Sequence, residues 1–330
     1  MMAISYIKSL IDEIRPRFVL LLCHQNADPD AVCSAFALAQ LLERLRPKVK
    51  VEIAAPEGIS KLSKALIGHI PLDVTAAKPA FKDADVVILL DTNTIQQLGE
   101  WGTSLKALSV PIVVIDHHAY HPETEKIATL CVCDENYSST CEIVYSLFKE
   151  LGLSPAKEEA EALFLGIAFD TKHFTLAHSA TFKVISELID AGVDVQESLP
   201  LLSRPIDISE RMARLKACSR LRIMRINDWL IVFSHVGSYQ ASVARALVEM
   251  GAHVALVGGE KKDTIAVSMR SDREFYKKTG FHLGRDLAKP LGEYLHGMGG
   301  GHSTSAGLNG VGDFETAVKR SIKILRERLH

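Results

Sequence analysis

Three short polar groups follow apolar runs in the first half of this chain. His24-Gln25-Asn26-Ala27-Asp28-Pro29-Asp30 follows the run 18–23, Asp91-Thr92-Asn93 follows 86–90, and Asp116-His117-His118 follows 112–115. A fourth group, Asp170-Thr171, closes the helical pattern of residues 156–169. Each has an ordinary reading: an Asp after a strand commonly caps a helix or forms a turn, and a lone His is usually a surface or hydrogen-bonded residue. The joint pattern is harder to dismiss, because three strands end in Asp or His. Asp28, Asp30, Asp91 and Asp170 in one cleft would repel one another and raise each other's pKa unless cations compensated. Two divalent ions would neutralise four carboxylates, and His24 and His117 would add nitrogen ligands. This mixed set suits Mn²⁺, accepts Co²⁺ or Zn²⁺ and, less comfortably, Mg²⁺. It lacks the thiolates of a structural zinc site. Two ions about 3.5–4 Å apart are a standard arrangement for phosphoryl hydrolysis, lowering the pKa of water and offsetting charge on the phosphoryl oxygens.

The elements that must position these groups are legible as alternating strands and helices. Strands are expected at 18–23, 49–54, 86–90 and 112–115, with helices at 31–45, 140–150, 156–169 and 180–191. Short Val- and Ile-rich runs separated by helices predict a parallel sheet covered on both faces. Such sheets place ligands beyond the C-terminal ends of their strands, where the first three polar groups would converge and where a following helix could deliver Asp170. A charged helix at 207–222, preceded by the break Ser203-Arg204-Pro205, is expected to join the halves. The second half predicts a hairpin (222–226 and 229–234 around Asn227-Asp228), a helix at 239–250, and strands at 253–257 and 264–270 with Gly258-Gly259 opening a polar turn between them. Helices are expected at 283–295 and 314–329, with a glycine-rich loop at 297–302. The fold class is α/β: an N-terminal parallel-sheet domain (1–195), a linker helix (196–218) and a smaller mixed α/β domain (219–330).

Composition sets the bounds. The 330 residues suggest two domains at about 150 each. With 38 Lys and Arg against 40 Asp and Glu, the formal charge is −2, which argues against a protein that coats duplex DNA by charge. Hydrophobic residues make up 47 %, enough for two cores without disulfides. No apolar run reaches the roughly 18 residues a bilayer crossing needs, and the N-terminal segment does not read as a signal peptide. Six cysteines are scattered, most of them in apolar surroundings, which fits reduced thiols in a cytoplasm; Cys131 and Cys133 alternate as a strand would and read as packing rather than metal binding. No GxGxxG follows the first strand, which disfavours a nicotinamide-binding enzyme.

The sequence resembles the DHH phosphoesterase superfamily through four segments in order: HQNADPDA at 24–31, VVILLDTN at 86–93, VVIDHH at 113–118 and LFLGIAFDT at 163–171. The second half resembles the DHHA1 domain through Ser268-Met269-Arg270-Ser271 and GGGHSTSAG at 299–307. The resemblance implies that His24, Asp28 and Asp91 hold one metal and Asp30, Asp91, His117 and Asp170 the other, with Asp91 bridging. It places His118 near the scissile phosphate as a proton or hydrogen-bond donor, with Asp116 orienting a histidine ring or the loop. Arg270, Ser271, Gly299, Gly300, Gly301 and His302 would bind substrate; Arg offers a bidentate fork and glycines let amides approach an anion. Relatives often carry Gly after the fourth segment's Asp-Thr, whereas Lys172 and His173 follow here.

The resemblance is closest to the nano-RNase and 3′-phosphoadenosine 5′-phosphate (pAp) phosphatase type. It implies a cytoplasmic hydrolase acting on short oligoribonucleotides, pAp, or linear or cyclic dinucleotides, with two divalent ions (Mn²⁺ foremost), compatible with a homodimer and with no membrane partner. Alternatives are a RecJ-like single-strand exonuclease, an inorganic pyrophosphatase, and a non-catalytic scaffold; none of the expected ligands is missing, which disfavours the scaffold.

Overall fold

The computed structural model describes residues 2–92, 94–203 and 206–329, with side chains described from Tyr6. Asn93 and the Arg204-Pro205 part of the expected break lie outside the described residues. The chain divides into two compact units, Met1–Arg204 and Pro205–His330.

The first unit runs α1 (Met2–Ile14), β1 (Phe18–Leu22), α2 (Pro29–Leu45), β2 (Lys50–Ala54), α3 (Lys61–Leu66), β3 (Val86–Leu90), α4 (Trp101–Lys106), β4 (Ile112–Asp116), α5 (Pro122–Glu125), β5 (Leu130–Cys133), α6 (Thr140–Glu150), α7 (Lys157–Asp170), α8 (Ser179–Asp190) and α9 (Val195–Leu201). Its five strands form a parallel sheet in the order β2-β1-β3-β4-β5. Every residue of β1, β3 and β4 is buried, because helices cover both faces. The strand period of two then divides the side chains. Val19, Leu21, Val86, Ile88, Leu90, Val113 and Ile115 enter one core with α2, α6 and α7. Leu20, Leu22, Val87, Leu89, Val114 and Cys133 enter a second core with Trp101 and Leu105 of α4. The chain steps from β1 to β2 on one side and later to β3 on the other. The β1/β3 junction is therefore a topological switch point, where open α/β sheets form clefts.

The second unit runs α10 (Ile208–Ser219), β6 (Arg222–Ile226), β7 (Trp229–His235), α11 (Gln240–Glu249), β8 (Val254–Lys261), β9 (Thr264–Ser271), α12 (Arg273–Thr279), a π-helical turn (Leu283–Ala288), α13 (Lys289–Tyr294), β10 (Met298–Gly301), β11 (Ser305–Val311) and α14 (Phe314–Arg328). Its mixed sheet has the order β10-β11-β9-β8-β7-β6, parallel only between β7 and β8. The stretch expected as one linker helix at 196–218 holds most of α9 and most of α10 instead, with Pro200 inside the first.

Two glycine expectations need correction. Gly258 and Gly259 continue β8, and the turn falls at Lys262, whose φ is 53°. A Cβ on Gly258 would meet the Phe314 ring at 2.2 Å, and one on Gly259 the Gln240 side chain at 1.9 Å. These glycines admit close packing rather than reverse the chain. Gly299, Gly300 and Gly301 form not a loop but the edge strand β10, paired antiparallel to β11.

Candidate metal centre

The site lies beyond the C-terminal ends of β1, β3 and β4. After β1, His24 places its Nε2 3.8 Å from Asp28 Oδ1 and 3.9 Å from Asp91 Oδ2. Asp28 is the N-cap of α2, accepting from the Asp30 and Ala31 amides at 3.1 and 3.2 Å. The capping role expected of such an Asp and its place beside His24 therefore coexist, one oxygen serving the helix end.

Asp30, in the first turn of α2, is fully buried. Its oxygens accept from the Thr140 and Cys141 amides at 2.7 and 3.0 Å, at the N-terminus of α6. Asp91, 5 % exposed, ends β3 in the left-handed region with φ 53°. Such strain concentrates at functional sites, and here it turns the carboxylate toward β1 and β4. Beyond β4, His117 Nε2 lies 3.6 Å from Asp91 Oδ1 and 2.9 Å from Asp170 Oδ2. Asp170 is the last residue of α7, delivered over the sheet by the α2–α7 packing. A Cβ on Gly166 of α7 would lie 2.9 Å from Asp30 Oδ1 and 2.2 Å from Cys141 Sγ, so only glycine lets α7 approach.

Three groups have ligand atoms within 4.8 Å of one another: His24, Asp28 and Asp91; Asp30, His117 and Asp170; Asp91, Asp116, His117 and His118. Asp91 is shared by two of them. His117 Nε2 is buried and, despite its short contact with Asp170, makes no aligned hydrogen bond. An orphaned ring nitrogen between carboxylates is the geometry of a metal ligand, and the imidazole and carboxylate set fits a divalent ion. Protonation follows suit. Burial, then the charges of Asp91, Asp170 and Asp28, push the Asp30 carboxyl well above its ordinary value. Burial, then Asp116, Asp28 and Asp170, push Asp91 up to about 7. Burial opposes charge on His24, but its hydrogen bonds to Asp28 and Gln25 prevail and raise it to about 9.

Beside this cluster, His118 Nδ1 sits 2.7 Å from Asp116 Oδ1, and its backbone amide donates to the same oxygen at 2.8 Å. The Asp116 hydrogen bond raises His118 to about 9. Asp116 is 1 % exposed while the His118 side chain is 59 % exposed. The carboxylate anchors a ring whose far side faces solvent.

Thr140 has no part in the sequence reading, yet its hydroxyl donates to Asp91 Oδ1 at 3.0 Å and its amide to Asp30. The signal was the helix start Ser-x-x-Glu: the Ser139 cap accepts from the Glu142 amide at 3.1 Å, and Glu142 accepts from the amide of Ser138, one residue before the cap, at 2.8 Å. That pattern marks a helix start without saying which carboxylate the start meets.

In the second unit, Arg270 is half-buried on β9 and donates to the Met269 carbonyl at 2.8 Å. Burial, then the charge of Arg245, lowers its pKa. The register sets Arg270 beside Ser305, Ser268 beside Gly307, and Gly307 beside Gly300. A shallow groove of about 320 Å³ runs along Ser268, Gly299, Gly300, Gly307 and Asn309. Ser271 points to the opposite, buried face, its hydroxyl without a hydrogen-bond partner. His302 is exposed in the β10–β11 turn, its amide donating to the Ser305 carbonyl at 2.7 Å.

Residues 18–167 match the DHH family, N-terminal domain. The uncharacterized protein MJ0988 of Methanocaldococcus jannaschii is 39 % identical over 323 residues, covering 95 % of this chain and 93 % of that one. The chain belongs to the DHH family. A Streptococcus agalactiae protein named probable manganese-dependent inorganic pyrophosphatase is 31 % identical over 202 residues, 59 % of this chain and 63 % of that protein. An exopolyphosphatase-related protein from Bacteroides fragilis superposes with a TM-score of 0.61 at 20 % identity, over 99 % of this chain and 96 % of that one, and shares the fold. The matched residues run from β1 into α7 and so include the acidic ends of β1, β3 and β4. The described residues contain no helix long and apolar enough to cross a membrane, and the six cysteines are free.

Proposed function

We propose that this chain is a two-metal phosphoesterase that hydrolyses phosphoester bonds in small nucleotides: short oligoribonucleotides, pAp, or linear or cyclic dinucleotides. The observation that carries the reading is the convergence of His24, Asp28, Asp30, Asp91, His117 and Asp170 from four separate segments, with His117 Nε2 3.6 Å from Asp91 and 2.9 Å from Asp170. His24, Asp28 and Asp91 would hold one ion, and Asp30, Asp91, His117 and Asp170 the other, Mn²⁺ being the best match to the donors. When bound, the ions would supply Lewis acidity and a nucleophile at neutral pH.

The chain's own residues do the rest. The α6 amides and the Thr140 hydroxyl fix the Asp30 and Asp91 carboxylates, so the cluster need not reorganise when it binds. His118, held protonated by Asp116, carries a proton toward solvent, placed to hydrogen-bond a phosphoryl oxygen or protonate a leaving oxygen. Arg270 and the edge strand Gly299–Gly300–Gly301, with His302, would bind an anionic group of the substrate, whereas Ser271, on the buried face of β9, is not placed to join them. Guanidinium and bare backbone amides suit a phosphate.

The test is a panel of pAp, pApA, two- to five-residue RNAs, pyrophosphate and long single-stranded DNA, with Mn²⁺. The expected result is turnover of the small nucleotides, and loss of both turnover and bound metal in a folded Asp91→Ala variant. Rapid pyrophosphate cleavage alone, or processive digestion of long strands, would replace the substrate assignment. A metal-free, inert wild type in Mn²⁺ buffer would overturn the reading.

A further inference from the structure

Directly after Asp170 the backbone enters a conformation that side chains disfavour. Lys172, His173 and Phe174 have φ of 50°, 55° and 65°. These are three consecutive non-glycine residues in the left-handed region, where Cβ crowds the carbonyl oxygen. Such strain persists only where the surroundings impose it, and it gathers at functional sites.

The surroundings here are explicit. The buried Thr171 donates its hydroxyl to the Ile167 carbonyl at 2.6 Å and accepts from the Phe174 amide at 3.2 Å. The His173 amide donates to Ala168 at 2.7 Å and the Leu176 amide to Thr171 at 2.9 Å. The Phe174 ring lies 5.6 Å from Phe164 and 6.2 Å from Phe182. The turn is clamped by its backbone and by one aromatic ring. What the clamp presents outward is Lys172 and His173, both exposed. The Lys172 side chain forms no ion pair or hydrogen bond among the described residues, although Asp28, Asp30, Asp91, Asp116 and Asp170 make the nearby cluster strongly acidic. Two trans peptides separate its Cα from that of Asp170 by at most about 7.6 Å, and its four-carbon stem ends in a mobile point charge. An exposed cation two residues from an acidic site and unpaired with its acids is available to a bound anion.

We propose that Lys172 grips a phosphate oxygen of the substrate, so that phosphoesters carrying a second anionic group near the scissile phosphate are favoured. The proposal rests on the phosphoesterase reading above. The clamped left-handed turn then fixes the backbone from which the lysine extends.

Lys172→Gly separates strain from charge, because glycine adopts a φ near +50° freely and carries no cation. The measurement is calorimetric binding of non-hydrolysable phosphonate analogues of pAp and of AMP to Mn²⁺-loaded protein, with a melting curve for each variant. Wild type is expected to bind pAp about tenfold more tightly than AMP, the usual size of a charged hydrogen bond. Lys172→Gly should reduce that preference to within about threefold with an unchanged or higher Tm, and Lys172→Arg should retain it. An undiminished preference in Lys172→Gly, or equal binding of both nucleotides by wild type, overturns the proposal. A wild type that shows the lysine-dependent preference but hydrolyses nothing in the panel supports Lys172 as an anion-binding residue and removes the phosphoesterase reading alone.

Discussion

The Asp116–His118 pair divides one job between a buried carboxylate and an exposed ring. Because Asp116 raises His118 to about 9 from its ordinary 6.5, the ring is protonated throughout the neutral range. Its proton is available below pH 9 and lost as pH rises through that value. In the metal-free protein, an NMR titration of the ring should therefore show a midpoint near 9, and Asp116→Asn should move it toward 6.5. With Mn²⁺ bound, Asp116→Asn should lower kcat by about a hundredfold, a typical loss for an acid catalyst. An unchanged kcat in Asp116→Asn would remove the pair from the chemistry. At this scale the sequence was informative, since His24, Asp28, Asp30, Asp91 and His117 could be named from their places after strands and Asp170 from the end of a helical pattern. What the sequence could not show is that Asp30 is gripped by the amides of Thr140 and Cys141. Those residues lie 110 and 111 positions away, and no local pattern links them.

Elements explain why one residue can hold two roles. Asp28 both caps α2 and faces His24. An Asn at this position keeps a capping oxygen and loses the charge, whereas Ala loses both; an N-cap contributes about 1 kcal/mol. Asp28→Asn should thus bind Mn²⁺ more weakly with near-normal metal-free stability, while Asp28→Ala should also lower the metal-free Tm. Equal metal-free stability in the two variants would show that the cap is idle. The strands with uninterrupted apolar runs, β1, β3 and β4, were legible because burial on both faces leaves a continuous hydrophobic signature. The glycines were not. Gly258 and Gly259 look like a turn in sequence, yet they lie within β8 to admit Phe314 and Gln240. Gly166 stands inside an ordinary helical pattern, yet it permits the approach of α7 to Asp30. A glycine's reason is the neighbour it makes room for, and that neighbour is remote in sequence.

For the molecule, the fold concentrates like charge. In the metal-free protein, Asp91 is raised to about 7 from an ordinary 3.8, Asp30 is raised well above its ordinary value by burial and its acidic neighbours, and His24 is raised to about 9 from 6.5. A carboxylate with a raised folded pKa is deprotonated more easily when unfolded, so stability falls as pH climbs from about 4 to about 7. His24 contributes stability that is complete below 6.5 and lost as pH passes 9. Asp28 is shifted the opposite way, its hydrogen bond with His24 and two amides outweighing burial. Its contribution is present at neutral pH and lost only in acid. The sum is a chelated protein whose Tm declines between pH 6 and 9. Saturating Mn²⁺ should raise stability by about 2.7 kcal/mol at a hundredfold excess over Kd, with the larger rise at the higher pH. Calorimetry in chelator and in Mn²⁺ checks this; a chelated Tm that is flat or rises with pH would show that the acids do not strain the empty site.

The amino-acid sequence alone determined which residue types stand at the strand ends and that β1, β3 and β4 are buried, because hydrophobic period and strand length are local properties of the chain. Only the tertiary structure decided that β1, β3 and β4 lie side by side, that α7 returns Asp170 to their ends, and that the start of α6 holds Asp30 and Asp91 in place. Those meetings depend on strand order and helix packing between residues scores of positions apart, and no periodicity in the sequence encodes such distances.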